Sequence, residues 1–129
     1  MKIPQDLLDE MVEHARIDAP NECCGLIGAH DGVATSVYRT RNVRASPLAF
    51  EMHGPEVMRI IEEIEEGGGE LAGMYHSHTR TEPYPSQTDR NFAKLWPGLE
   101  WVIVGLGGDE AVVRSFLIED GAVEEIPLG

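Results

Sequence analysis

At 129 residues the chain has the length of one compact domain with a single core. Its 42% hydrophobic and 26% charged residues are those of an ordinary soluble globular protein, and no apolar run approaches the ~20 residues of a membrane span. Ten basic residues against 23 acidic ones leave a net charge of -13, which on average repels phosphate and argues against nucleic acid as a partner.

In chain order, Met1-Lys2-Ile3-Pro4 leads straight into an amphipathic segment rather than a signal peptide, which points to the cytoplasm. Residues 4–17 are expected as a helix, with Pro4 in the first turn and Leu7, Leu8, Met11, Val12 and Ala15 on one stripe. Pro20 and Asn21 end it. Residues 23–29 and 33–39 are expected as two strands joined by the hairpin signal Asp31-Gly32. Further strands are expected near 41–45 and 49–53. Pro55 opens a second helix that buries Val57, Ile60, Ile61 and Ile64, and Gly67-Gly68-Gly69 stops it. Residues 71–76 are expected as a buried strand. Ser86 opens a third helix reaching about Trp96, before Pro97-Gly98. Strands follow at 101–106 and 112–118, then an Asp120-Gly121 turn and a short last strand. Interleaved strands and helices with no repeat or linker predict one α/β domain over 1–129, a mixed β-sheet flanked by helices.

Cys23 and Cys24 are neighbours, so on a strand they point to opposite faces and neither pair readily nor chelate one metal together. Core packing is the expected role of Cys23 at least, while alternation puts Cys24 on the face of Glu22. The basic run Arg39-Thr40-Arg41-Asn42-Val43-Arg44 reads as protection of an edge strand, with substrate docking as the alternative.

The chemistry concentrates between His76 and Asp89. His76 and His78 are two apart, so on an extended backbone both rings face one way and can reach one metal ion from the strand's end. Two imidazoles and a carboxylate are the donor set of an open catalytic zinc site. Ser86 and Asp89 also fit a capping box, Ser-x-x-Asp ahead of a helical run. For Ser86 the cap and a catalytic role can coexist. For Asp89, folding back onto the cap and ligating a metal are expected to exclude one another. Glu22 alone is a loop carboxylate, but a zinc hydrolase needs a base of this type near the attacking water. His14, His30 and His53 lack ligand spacing and read as surface or turn residues. Ser77 either supports a leaving group or fills a loop, and Glu51 is a weak candidate for substrate contact.

His76-x-His78, seven residues, Ser86, two residues and Asp89, with Glu22-Cys-Cys-Gly upstream, resembles the signature of the JAMM (MPN-plus) metalloprotease family over essentially the whole chain. Within it, Tyr75-His76-Ser77-His78-Thr79, Thr81-Glu82 and Tyr84-Pro85-Ser86 look closest to small bacterial members that act after the C-terminal Gly-Gly of ubiquitin-like sulfur-carrier proteins. The resemblance implies a single JAMM/MPN domain of the cytidine-deaminase-like fold. It implies one Zn²⁺ per chain on His76, His78 and Asp89, Glu22 as general base and Ser86 as donor to the oxyanion. It also implies a ubiquitin-like sulfur carrier as substrate, with a cysteine, a peptide or a protein lysine as leaving group, and it allows a homodimer. Glycines without side chains suit a narrow groove at a sheet edge.

Three other readings compete. A non-catalytic MPN scaffold typically lacks ligands or the glutamate, and this chain keeps all five positions. DNA-repair-related relatives read His-Asn-His-Pro and carry a further DNA-binding module, whereas Ser77 and Thr79 stand here in a chain of net charge -13. A nucleobase deaminase needs His-x-Glu and Pro-Cys-x-x-Cys, and neither occurs.

Overall fold

A computed structural model describes residues 1–129. In chain order the elements are α1 (Gln5–Asp18), β1 (Cys24–His30), β2 (Val33–Thr40), α2 (Gly54–Glu66), β3 (Glu70–His78), α3 (Gln87–Ala93), β4 (Glu100–Gly105), β5 (Val112–Glu119) and β6 (Ala122–Ile126). The strands form one mixed sheet in the order β2-β1-β3-β4-β5-β6. Only β3 and β4 run parallel, and α3 lies in the crossover that a parallel pair requires.

Alternation along the strands sorts the side chains into two layers. Cys24, Leu26, Met74, Trp101, Ile103 and Phe116 face one way and pack with Val57, Ile60 and Ile64 of α2 and Ala93 of α3. Cys23, Ile27, Tyr75, Val102 and Val104 face the other way, against Leu7, Met11 and Ala15 of α1. The expected α/β class, with helices flanking a mixed sheet, is the fold that forms. The two-residue turns Asp31-Gly32 and Asp120-Gly121 both hold positive φ at each residue, the twist that suits tight hairpins.

Gly25 is needed for a close approach rather than for a turn. A Cβ there would collide with the ring of Tyr75, which lies across β1 in the α1 layer.

The structure departs from the sequence reading in three stretches. Residues 41–53 form no strand; they are a loop folded on itself, in which the amide of Val43 donates to the carbonyl of Glu51 (3.0 Å). The segment does not extend the sheet at the β2 edge, because the Asn42 side chain takes the backbone groups that a ladder would use. The third helix ends at Ala93, short of Trp96, because turn bonds from Leu95 to Phe92 and from Trp96 to Ala93 replace the helical pattern ahead of Pro97. β3 runs on to His78, so both histidines sit on the strand itself.

Candidate active site

Antiparallel pairing of β1 with β3 sets Cys24 opposite His76, and continuing that register brings Glu22 opposite His78. The join is locked twice: Ser77 N–H donates to the carbonyl of Cys23 (3.2 Å), and Cys23 N–H donates to Ser77 Oγ (2.8 Å). A glutamate more than fifty positions upstream thereby reaches the histidines. Ser77 acts here through structure, turned toward the backbone of β1 and fully buried.

His76 and His78 project from the same face of β3, and both are buried. Their Nε2 atoms are 3.2 Å apart, and Asp89 Oδ2 lies 3.1 Å from each. Asp89 arrives from the first turn of α3. There Ser86 Oγ accepts from Asp89 N–H (3.1 Å), and Asp89 Oδ2 accepts from Ser86 N–H (3.0 Å), a complete capping box. The cap thus forms with Asp89 Oδ2 still beside both imidazoles, which removes the ground for expecting capping and metal ligation to exclude one another. One oxygen can do both, because a carboxylate oxygen has more than one lone pair. Ser86 is exposed at the mouth of the site, and with its oxygen accepting in the cap its O–H remains free to donate.

These three donor atoms all lie within 4.8 Å of one another. Tetrahedral coordination at the ~2.0–2.1 Å of zinc–nitrogen and zinc–oxygen bonds separates ligand atoms by about 3.3 Å. Edges of 3.1, 3.1 and 3.2 Å are close to that figure. Two neutral imidazoles and one carboxylate are also the donor chemistry of a catalytic zinc site, so the residues present fit the ion.

The two rings are oriented differently. His78 Nδ1 sits 2.8 Å from the carbonyl of Glu82, to which it donates, leaving the Nε2 lone pair for the cluster. His76 Nδ1 is buried without a protein partner, and Phe50 stacks on that ring instead (4.6 Å, 29°). Burial opposes the charge on Asp89, yet the His76 and His78 contacts and the Ser86 amide outweigh it and hold the carboxyl well below its usual range. Burial likewise opposes charging of His78, but the hydrogen bonds to Asp89 and Glu82 raise its pKa.

Glu22 is 5% exposed. Burial raises its carboxyl to about 7; the Asp89 charge adds to this and His78 opposes it. A carboxyl so placed is poised to exchange a proton near neutral pH. All five residues singled out in the sequence, Glu22, His76, His78, Ser86 and Asp89, thus gather at one end of β3.

Cys24 does not join them. It packs in the α2 layer, where Thr40 Oγ1 donates to its sulfur (3.2 Å), and burial pushes its thiol up to about 11. Cys23 lies in the opposite layer, its thiol pushed up to about 12 by burial. His30 and His53 are exposed, as expected, but His14 is buried: its Nδ1 meets the Tyr75 hydroxyl (2.7 Å) and its Nε2 meets Asp18 (3.2 Å). Its position on the inner stripe of α1, one turn beyond Met11, was the available signal. Arg39 lies on the edge strand and reaches toward Glu10 (4.0 Å) and Glu13 (3.8 Å) of α1, whereas Arg41 and Arg44 stand exposed on the following loop. The Glu51 side chain is exposed and its amide serves the loop. Sequence reasoning missed Asn42, Phe50 and the Glu82 carbonyl. Nothing in residue spacing marks them, since each acts through a loop conformation.

The fold and the site define a hydrolase of the peptidase class, and comparison with known proteins bears this out. Residues 4–119 match the family described as prokaryotic homologues of the JAB domain. The CysO-cysteine peptidase of Mycobacterium tuberculosis is 34% identical over 129 residues, 98% of this chain and 88% of that protein. A desampylase of Haloferax volcanii is 35% identical over 115 residues, 84% of this chain and 82% of that protein. Among solved structures, a protein of Desulfitobacterium hafniense superposes with a TM-score of 0.87 at 33% identity, over 97% of this chain and 88% of that one. The chain belongs to the prokaryotic JAB-domain family, and the JAMM resemblance holds.

Proposed function

We propose that the chain is a cytoplasmic zinc-dependent peptidase that hydrolyses the bond after the C-terminal Gly-Gly of a ubiquitin-like sulfur-carrier protein, releasing an amino acid or a peptide. The observation that carries this reading is the convergence of His76, His78 and Asp89 within 4.8 Å, with the buried Glu22 brought to the same strand end. Similarity to a CysO-cysteine peptidase and a desampylase supports a small protein conjugate as substrate.

His76, His78 and Asp89 hold the ion, which when bound supplies Lewis acidity to a water and to the scissile carbonyl. Glu22 accepts a proton from the attacking water and returns it to the nitrogen of the leaving amine; its burial at the same strand end disfavours the charged carboxylate and so favours taking the proton. The Ser86 hydroxyl, fixed by its cap, donates to the oxygen on which negative charge develops. Phe50 covers one face of the His76 ring and Ser86 is the exposed member of the group, so the Ser86 side is where an extended chain without side chains would approach.

Metal content and activity test the reading together. The purified protein is expected to carry one zinc per chain by elemental analysis, and His78→Ala to carry none. Chelated protein should leave a Gly-Gly carrier with a one-residue extension intact, and added zinc should restore cleavage. A metal-free protein that cleaves such a carrier at full rate would refute it.

A further inference from the structure

Taking Glu22 as base and His76 as ligand, the reading proposed above, we infer that Asn42 is a positioning residue that holds both of them from a single side-chain amide. The Asn42 amide makes four hydrogen bonds. Its Nδ2 donates to the carbonyl of Glu22 (3.0 Å) and to the carbonyl of Ala49 (3.0 Å). Its Oδ1 accepts from the amides of Arg44 (3.0 Å) and Glu51 (3.1 Å). A primary amide has two N–H donors and two oxygen lone pairs, so its capacity is filled. The residue is 9% exposed, and its bond to Glu22 is buried.

The partners are placed so as to matter. Glu22 lies outside the ladder of β1, which begins at Cys24. Both of its backbone polar groups are instead held by the loop: the carbonyl by Asn42, and the amide by the carbonyl of Ser46 (2.9 Å), within the loop that Asn42 folds. Ala49 and Glu51 flank Phe50, so Asn42 grips the chain on both sides of the ring that stacks on His76 (4.6 Å). The His76 ring is held at Nε2 by the cluster, but it has no hydrogen bond at Nδ1, so on that side the stacked Phe50 ring is what supports its orientation. One amide therefore sets the place of the proton acceptor and the attitude of a ligand ring.

No other side chain of this length meets these demands, since glutamine carries the same amide one methylene further out. Aspartate keeps the acceptors but sets an anionic oxygen against the carbonyls of Glu22 and Ala49, and serine offers a single donor. Aspartate thus separates the two halves of the clamp. In Asn42→Asp the amides of Arg44 and Glu51 keep their acceptor, while the hold on Glu22 is lost.

The test uses the zinc-loaded full chain in four forms: parent, Asn42→Ala, Asn42→Asp and Glu22→Gln. Hydrolysis of a carrier with a one-residue extension after Gly-Gly gives kcat and KM per folded molecule, and amide hydrogen exchange is followed at Glu22, Arg44 and Glu51. Both Asn42 variants are expected to lower kcat at least about tenfold, with KM and zinc content within about twofold, as positioning faults of this size do. Exchange at Glu22 should quicken in both, while Arg44 and Glu51 stay protected in Asn42→Asp alone. A kcat equal to the parent's, even with a lowered melting temperature, would leave Asn42 a purely structural residue and overturn the inference. If the parent and Glu22→Gln are equally inactive on every carrier, it is the reading of the site that fails. Exchange then judges the clamp alone: faster exchange at Glu22 supports it, and unchanged protection rejects it.

Discussion

Glu22 is held where its charged form is disfavoured, and this has a consequence for stability that is independent of catalysis. Its folded pKa of about 7 stands above the ordinary 4.5. A carboxyl with a raised folded pKa contributes stability that is fully present below the unfolded value and is lost as pH rises through the folded one. A shift of this size corresponds to about 3 kcal/mol. In chelated protein Glu22→Gln, which stays neutral, should therefore be more stable than the parent at pH 8 by up to about 3 kcal/mol, with the gap closing toward pH 4.5. Urea melts at the two pH values check this; an equal difference at both would show that Glu22 ionises freely. Ser86 is the second residue open to a direct test. Ser86→Ala is expected to lower kcat by about 10²–10³ at little change in KM, the scale of a lost oxyanion donor. It also removes the cap on Asp89 N–H, for about 1 kcal/mol of stability, so a fall in stability without a fall in kcat would leave Ser86 as a cap only.

Among the elements, β1 and β3 do most to build the site, and the Tyr75 ring lies across β1 only because position 25 is a glycine. A Cβ there would run into that ring, so Gly25→Ala must displace Tyr75 or disturb the strand pair that sets Glu22 opposite His78. Overpacking of this kind costs about 1–3 kcal/mol or more, and thermal denaturation should show it. An unchanged melting temperature would mean that Tyr75 has room to move. The long helices were legible because a buried stripe leaves a period, as Leu7 and Met11 do, and the central strands because burial on both faces leaves short apolar runs such as those of β1 and β4. The loop over 41–53 left no period of its own. Its conformation is dictated by one asparagine bonding to the main chain, so short apolar runs around Val43 and Phe50 resembled strands although the Asn42 side chain, and not a ladder, takes backbone groups beside them. The site residues were legible for another reason. His76, His78, Ser86 and Asp89 lie on a single strand–loop–helix segment, where spacing in sequence carries over into spacing in the structure. The shared use of Asp89 Oδ2 was not legible, since residue types do not say how many bonds one oxygen accepts.

Taken whole, the molecule is a strongly acidic, single-sheet hydrolase with its candidate site at one end of the central strands, and no helix in it is long and apolar enough to cross a membrane. A net charge of -13 leaves little prospect of phosphate-driven binding. Duplex DNA is expected to show no retention in a mobility-shift assay at about 150 mM salt. A stable shifted complex would revive the nucleic-acid reading.

On the proposed function, Glu22 and the His76, His78, Asp89 cluster together hydrolyse the bond after a Gly-Gly terminus. The decisive experiment is intact-mass spectrometry of a ubiquitin-like sulfur carrier extended by one C-terminal cysteine, incubated with zinc-loaded protein beside a Glu22→Gln sample. Loss of the one added residue with the parent, slowed at least about 10²-fold with Glu22→Gln, is the expected result. Equal loss of mass with both proteins, or an intact carrier alongside a fully zinc-loaded parent across the available Gly-Gly carriers, would contradict it.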